Sequence, residues 1–188
     1  MKKYLSTSLS EFLYENSQTE KKVDIYMMGD TKREMFIFLV VDGIGIGGQY
    51  SGISPIDGET QFASMKIGIS NDYKGKGYGN LLYMATLSLL GDIGLSPHRK
   101  TDSTQQDAIK VWNKLNNESY IKRISLDEKI NNNELLDSKY ILTDKNKYIK
   151  NIKKISNDAF DVSNDLANQS WNIVNGHMDR IAHQKQKK

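Results

Sequence analysis

The most constraining feature of the sequence is a glycine-rich turn between a predicted strand and a predicted helix. Residues 74–79 read Lys-Gly-Lys-Gly-Tyr-Gly, and the apolar segment 80–90 follows at once. Glycine accepts backbone angles that other residues avoid, so the turn can bend tightly and its backbone can approach a ligand. The first N–H groups of a helix have no partner inside the helix and carry partial positive charge. We therefore expect the turn to bind phosphate, with Lys74 and Lys76 adding charge.

Three other kinds of phosphate loop fit this turn less well. A Walker A loop needs Gly-Lys followed by Ser or Thr, which residues 74–80 lack. A dinucleotide-binding fingerprint has the spacing G-x-G-x-x-G after the first strand of a βαβ unit, whereas the spacing here is G-x-G-x-G and a predicted hairpin precedes it. The glycine loop of protein kinases lies between two strands, whereas this turn opens a helix.

The hydrophobic pattern predicts one α/β domain, residues 1–144, followed by a basic helical extension, residues 145–188. Capping-box spacings open helices at 8–15 and 104–115, the second one with Ser103 and Gln106. Residues 22–33 fit a strand or a short helix equally well. Asp42-Gly43 predicts a hairpin turn, and residues 54–59 a loop. The remaining predicted elements are strands at 35–41, 44–54, 61–69, 93–96, 120–126 and 139–143 and a helix at 80–90.

Composition excludes several classes of site. The chain of 188 residues has no cysteine, so disulfides, thiolate metal sites and cysteine nucleophiles are ruled out. Its three histidines are far apart in the sequence, and we expect no metal. No apolar run is long enough to span a bilayer and no secretory signal is visible, so we expect no membrane partner and a cytoplasmic location.

The basic charge is concentrated near the C-terminus. From Lys145 onward nine Lys and Arg face four Asp, a net charge of +5, whereas the whole chain carries +3. The extension also has an apolar stripe at helical spacing, formed by Phe160, Ala167, Trp171, Val174, Met178 and Ile181. We expect a helix that packs on the domain. A more specific alternative is that residues 155–182 form a homo-oligomer or bind a docking partner. Contact of the basic extension with nucleic acid is a weaker alternative.

Residues 74–79 resemble the R/Q-x-x-G-x-G/A signature of the GNAT acetyltransferase superfamily, with Lys74, Gly77 and Gly79 at its fixed positions. The predicted elements from 35 to 143 follow the order of that family. The resemblance implies a mixed, mostly antiparallel sheet flanked by helices, and acetyl-CoA as cosubstrate. It further implies that strand residues Ile67, Gly68 and Ile69 bind the pantetheine arm. The turn residues that would bind the pyrophosphate are Lys74, Gly75, Lys76, Gly77, Tyr78, Gly79 and Asn80.

The chain departs from the family where proton transfer is concerned. Many members have a tyrosine on the fourth helix that protonates the leaving thiolate, and aligning the pattern on Ala108 puts Trp112 there. Indole is not an acid at neutral pH. The remaining candidates are Tyr120, Ser103 and Tyr83, or water. A glutamate base on the signature strand is also missing, because Ser64 and Lys66 occupy that region.

Two functions follow from the resemblance. The first is an N-acetyltransferase that moves acetyl from acetyl-CoA to an amine of a small molecule or a protein. The second is a GNAT-fold structural or interaction protein, for example a bacteriophage virion component, that assembles through its C-terminal helix. Ser96-Pro97-His98-Arg99 followed by Ser103 and Trp112 looks similar to small phage-encoded members of the family, which would place the chain in a virion. The intact turn favours the enzyme.

Overall fold

The computed structural model of the chain describes residues 22–54, 61–98, 106–126, 134–155 and 165–185, with the backbone alone for 106–107 and 177–185. The predicted helix 8–15, most of the predicted loop 54–59, and Ser103 lie outside these residues. The strands are β1 (Val23–Gly29), β2 (Glu34–Val41), β3 (Ile44–Ser54), β4 (Gln61–Ile69), β5 (Ser96–Pro97), β6 (Ile121–Ser125), β7 (Ser138–Leu142) and β8 (Ile152–Lys154). The α-helices are α1 (Tyr78–Leu90), α2 (Gln106–Asn116) and α3 (Asp165–Lys185).

The centre of the molecule is a six-stranded sheet with the order β5-β4-β3-β2-β1-β8. Its inner neighbours, from β1 to β4, pair antiparallel, whereas the two outermost pairs, β4 with β5 and β1 with β8, are parallel. Strands β6 and β7 form a separate antiparallel hairpin. Two hydrogen bonds of 2.9 Å between the backbones of Leu95 and Tyr140 join this hairpin to the chain just before β5. The prediction of a mixed sheet flanked by helices is confirmed.

Strand β2 explains why the sequence contains an unbroken apolar run. Successive side chains of a strand point to opposite faces of the sheet. Met35, Ile37, Leu39 and Val41 pack with α1 and α2, whereas Phe36, Phe38 and Val40 pack with α3. A strand that is buried on both faces needs apolar residues at every position. The helices therefore cover both faces of the sheet.

Helix α3 lies close to the sheet because glycines of β3 and β4 face it. A Cβ on Gly45 would lie 2.6 Å from the carbonyl oxygen of Leu166, and one on Gly68 would lie 3.0 Å from the Cα of Val174. Gln169 fixes the contact by accepting a hydrogen bond of 3.1 Å from the backbone N–H of Gly45. The described part of the predicted apolar stripe, Ala167, Trp171 and Val174, packs here against the sheet. The packing interpretation of this helix is confirmed for those residues.

Several boundaries differ from the sequence-based expectations. Helix α1 begins two residues early, at Tyr78, because Gly77 already has the left-handed conformation (φ 85°) that precedes it. The strand expected at 93–96 begins later and is shorter, because β5 covers only Ser96–Pro97. The residues before it form a 3₁₀ turn, Gly91–Ile93, which ends at Gly94 with a φ of 72°. The ambiguous segment 22–33 contains the strand β1. The extension contributes a strand, β8, as well as a helix, and the sequence analysis does not predict that strand.

We predict that Gly45→Ala destabilises the protein and Gly176→Ala does not. The new methyl group at 45 meets helix backbone at 2.6 Å, so α3 has to shift, at a cost of about 1–3 kcal/mol. Gly176 lies on α3 with no atom within 4 Å of its added Cβ, and alanine should stabilise the helix by up to about 1 kcal/mol. Urea denaturation of the two variants measures both effects. Equal stability of the two variants would contradict the packing described for α3.

Candidate functional site

The glycine-rich turn forms the start of α1. A 3₁₀ turn at Asn71–Tyr73 leads into it, and both Gly75 (φ 76°) and Gly77 (φ 85°) have left-handed backbone angles that favour glycine. The first hydrogen bond of the helix runs from the N–H of Leu81 to the carbonyl of Gly77, 3.1 Å away. The N–H groups before Leu81 are thus at the positive end of the helix, where an anion is stabilised.

A cleft of about 460 Å³ opens beside this turn. It is lined by β4, by the turn, by the first two turns of α1, by α2 and by His98. Of the residues predicted to bind the cofactor, the cleft brings together 67–69, 74, 75 and 77–80. Lys76 is not among the described lining residues: its ammonium donates a hydrogen bond of 2.8 Å to the carbonyl of Asp72 and lies 5.3 Å from the ring of Tyr73.

The cleft exists because β4 and β5 separate. They pair only at Ala63 with Ser96 and at Ser64 with Pro97. The next residue, Met65, is an extra residue in β4, because Ser64 pairs with Ser51 whereas Lys66 pairs with Tyr50. Such a bulge bends a strand and disrupts its ladder locally. Among the described strands, none pairs with β4 beyond Ser64 on that side, and the cleft occupies this opening.

Aromatic side chains close the inner end of the cleft. The ring of Trp112 contacts Tyr83 edge-on at 4.8 Å and Tyr140 at 4.8 Å on its other side. All three side chains are at most 1% exposed. Trp112, which the family resemblance places at the position of a proton donor, therefore serves as a packed wall that supplies no acidic proton.

Tyr83 brings a hydroxyl group to this wall. Burial raises the pKa of Tyr83 to about 12, and this effect is larger than that of Ser64, which lies near the Tyr83 hydroxyl and lowers its pKa. The amide nitrogen of Gln49 donates to the Ser64 hydroxyl at 3.1 Å, and Thr86 donates to the amide oxygen of Gln49 at 3.2 Å. These buried hydrogen bonds hold the side chain of Ser64, which forms the last residue pair of β4 and β5 with Pro97. Tyr83 lies next to this pair.

Tyr120 and Ser103 are the residues that the sequence analysis puts forward for proton transfer at the cleft. Tyr120 is not among the described residues that line it; the backbone carbonyl of Tyr120 accepts from the N–H of Thr143 at 2.9 Å, and Lys147 lies over its ring at 5.3 Å. Burial and, after it, the Glu118 carboxylate raise the pKa of Tyr120. Tyr120 directly precedes β6. Ser103 lies outside the described residues.

The structure adds lining residues that the sequence analysis missed. Lys114 and Val111 of α2 line the cleft three residues apart, one helical turn, and His98 joins them from the end of β5. The place of His98 directly after a predicted strand and Pro97 is the signal that could have pointed to the site. The amide oxygen of Asn80 is buried in the first turn of α1 without a partner among the described residues, so it can accept a hydrogen bond from a ligand.

Other classes of site find no support in the described residues. No three His, Asp or Glu side chains of that part of the chain gather as metal ligands. None of the described helices is long and apolar enough to cross a bilayer. No protein-family model, no curated protein and no solved structure matches the chain. The chemistry of the cleft therefore has to follow from its own geometry.

We predict that Tyr83→Phe changes the pH dependence of stability. Because the folded state raises the pKa of Tyr83 from 10.0 to about 12, the folded protein keeps a proton that the unfolded chain loses in this window. The wild type should lose up to about 1.4 kcal/mol per pH unit there through this group, and the variant should not. At neutral pH the variant should be up to about 1 kcal/mol less stable, because the polar interaction of the Tyr83 hydroxyl with Ser64 is lost.

Urea denaturation at about pH 9 and about pH 11 tests this, because the deficit of the variant should shrink or reverse at the higher value. The other buried tyrosines are common to both proteins and cancel in the difference. A deficit that stays constant across this range would mean that the Tyr83 hydroxyl is not held in its neutral form by burial.

Proposed function

We propose that the protein is a GNAT-type N-acetyltransferase that binds acetyl-CoA in the cleft and transfers the acetyl group to an amine. The observation that carries the proposal is that the turn at the start of α1 and the unpaired edge of β4 open into the same cleft. The first suits a pyrophosphate, because it offers backbone N–H groups at a helix N-terminus. The second suits the amide groups of a pantetheine arm, because an unpaired strand edge offers N–H and C=O groups in register.

Three parts of the proposed cosubstrate each match a part of the cleft: the pyrophosphate, the pantetheine arm and the thioester. Its pyrophosphate binds at residues 75–80, where Lys74 adds positive charge at the cleft edge. Its pantetheine arm follows β4 along Ile67 and Ile69 towards the bulge at Met65. Its thioester then lies where β4 and β5 separate, beside Ser64 and Pro97. The acyl group stays short, because Tyr83 and Trp112 fill the inner end.

In the proposed reaction the neutral amine attacks the thioester carbonyl carbon directly. The C–N bond forms, the C–S bond breaks with its electron pair on sulfur, and the proton lost by nitrogen ends on sulfur. In this proposal, backbone N–H groups at the bulge of β4 stabilise the oxyanion of the tetrahedral intermediate. Positioning of the two reactants in one cleft supplies a large part of the acceleration.

Tyr83 replaces Tyr120 in this proposal as the hydroxyl group near the leaving sulfur. Its pKa of about 12 lies above the value of about 8.5 that is typical of a thiol, so full transfer of its proton to the thiolate is uphill. At neutral pH the hydroxyl keeps its proton and can donate a hydrogen bond to the departing sulfur. Water then delivers the proton that completes the thiol. Turnover without a strong acid should be modest.

We predict that acetyl-CoA binds with a dissociation constant in the micromolar range, and that Gly77→Glu weakens binding at least about tenfold. The new carboxylate would occupy the anion site and repel the pyrophosphate. The matched control is Gly91→Glu, at the other end of α1, which also has positive φ (53°) and has no described atom within 4 Å of its added Cβ. Isothermal titration calorimetry of the three proteins measures the affinities.

The two substitutions share backbone strain and added charge, so a loss confined to position 77 reports on the cleft. Equal losses at 77 and 91 would mean that strain alone is responsible. No binding of acetyl-CoA by the wild type would rule out the enzyme, and the alternative of a structural protein that assembles through α3 would then take its place.

A further inference from the structure

One lysine of the cleft belongs to β4, the strand along which the proposed cosubstrate binds. Lys66 is the only lysine of β4, it follows the bulged residue Met65, and it lines the cleft. It is two residues beyond Ser64, the last residue of β4 that pairs with β5. Among the described residues, two other lysines line the cleft, Lys74 in the turn and Lys114 on α2, and neither is on β4.

The Lys66 side chain approaches from the face of the sheet opposite to α1. Its ammonium donates a hydrogen bond of 3.3 Å to the side-chain oxygen of Asn175 on α3 and lies 5.7 Å from the centre of the Trp171 ring. Tyr83 and Trp112 belong to the other face, which α1 and α2 cover. A cosubstrate held on the α1 side and an amine arriving from the α3 side meet at the opening between β4 and β5. Direct attack on a thioester requires the amine nitrogen and the carbonyl carbon to be held close together in a suitable orientation.

The surroundings of Lys66 also leave its nitrogen available. Within the described part of the chain no carboxylate forms an ion pair with it, in contrast to Lys153, which lies 2.9 Å from Asp24. Its hydrogen-bond partner is an amide oxygen, which accepts equally from a charged or a neutral amine. The lysine arm has four rotatable bonds, so the nitrogen can leave Asn175 and turn towards the cleft.

We infer that Lys66 is itself an acetyl acceptor, so that the protein acetylates its own cleft. The inference rests on the proposed function, because it requires acetyl-CoA in the cleft. Lys66 first loses a proton to water. Its nitrogen lone pair then attacks the thioester carbonyl carbon, the N–C bond forms and the C–S bond breaks. The sulfur leaves with the electron pair and takes up the proton that nitrogen releases. The products are acetyl-Lys66 and free coenzyme A.

The test is incubation of the purified full chain with isotopically labelled acetyl-CoA, followed by intact mass measurement and peptide mapping. We expect one acetyl group per chain, with label on Lys66 at least about tenfold above that on Lys74 and Lys114, because the cleft places only Lys66 at the thioester. Lys66→Arg keeps a cation and a donor for Asn175 but has no nucleophilic amine, and it should remain unlabelled at this peptide while still binding acetyl-CoA.

Two further proteins separate placement from chemical acetylation by the reagent. Gly77→Glu should lose the label on Lys66 together with its affinity for acetyl-CoA, whereas Gly91→Glu should keep both. If acetyl-CoA binds but Lys66 is labelled no faster than Lys74 and Lys114, or equally in Gly77→Glu, the inference is wrong and the proposed function stands. If calorimetry on the same samples detects no binding of acetyl-CoA, both are wrong.

Discussion

On the side of β4 that faces β5, the backbone pairs at Ala63 and Ser64, and no described strand pairs with it beyond Ser64. The cleft depends on this change. Leu95, directly before β5, is joined to Tyr140 of the β6–β7 hairpin by two hydrogen bonds. Unpaired backbone groups next to apolar side chains need water or a ligand as partners. The site is thus made largely of main chain, and its side chains mostly shape the space around it.

The parts of the structure with local causes could be predicted from the sequence. The turn at Asp42-Gly43 needs positive φ at both residues, and the apolar run of β2 reflects burial on two faces. The turn at residues 74–79 combines glycines with a helix start, so its position and its place at the cleft edge follow from the pattern alone. Each of these signals is contained within about ten residues, which is the range over which pattern-based reading works.

The remaining parts depend on residues far apart in the chain. Strand β8 is three residues long, and what identifies it as a strand is its pairing with β1. The bulge at Met65 shows only when β4 is aligned with β3. The sequence alone does not rank Tyr83, in a predicted helix, above Tyr120, in a predicted strand. Their difference lies in which one faces β4, and that depends on how α1 packs.

Coverage of the sheet by α3 has a consequence for the order in which the protein can fold. A nascent chain that has completed β7 still exposes the α3 face of β2, with Phe36 and Phe38, and has no β8 to pair with β1. The contacts that bury this face join residues more than a hundred positions apart, so closing them is entropically slow. Until α3 emerges, the ribosome-bound intermediate exposes an aromatic surface and an unpaired strand edge. Chaperones bind such surfaces, and the same surfaces promote aggregation.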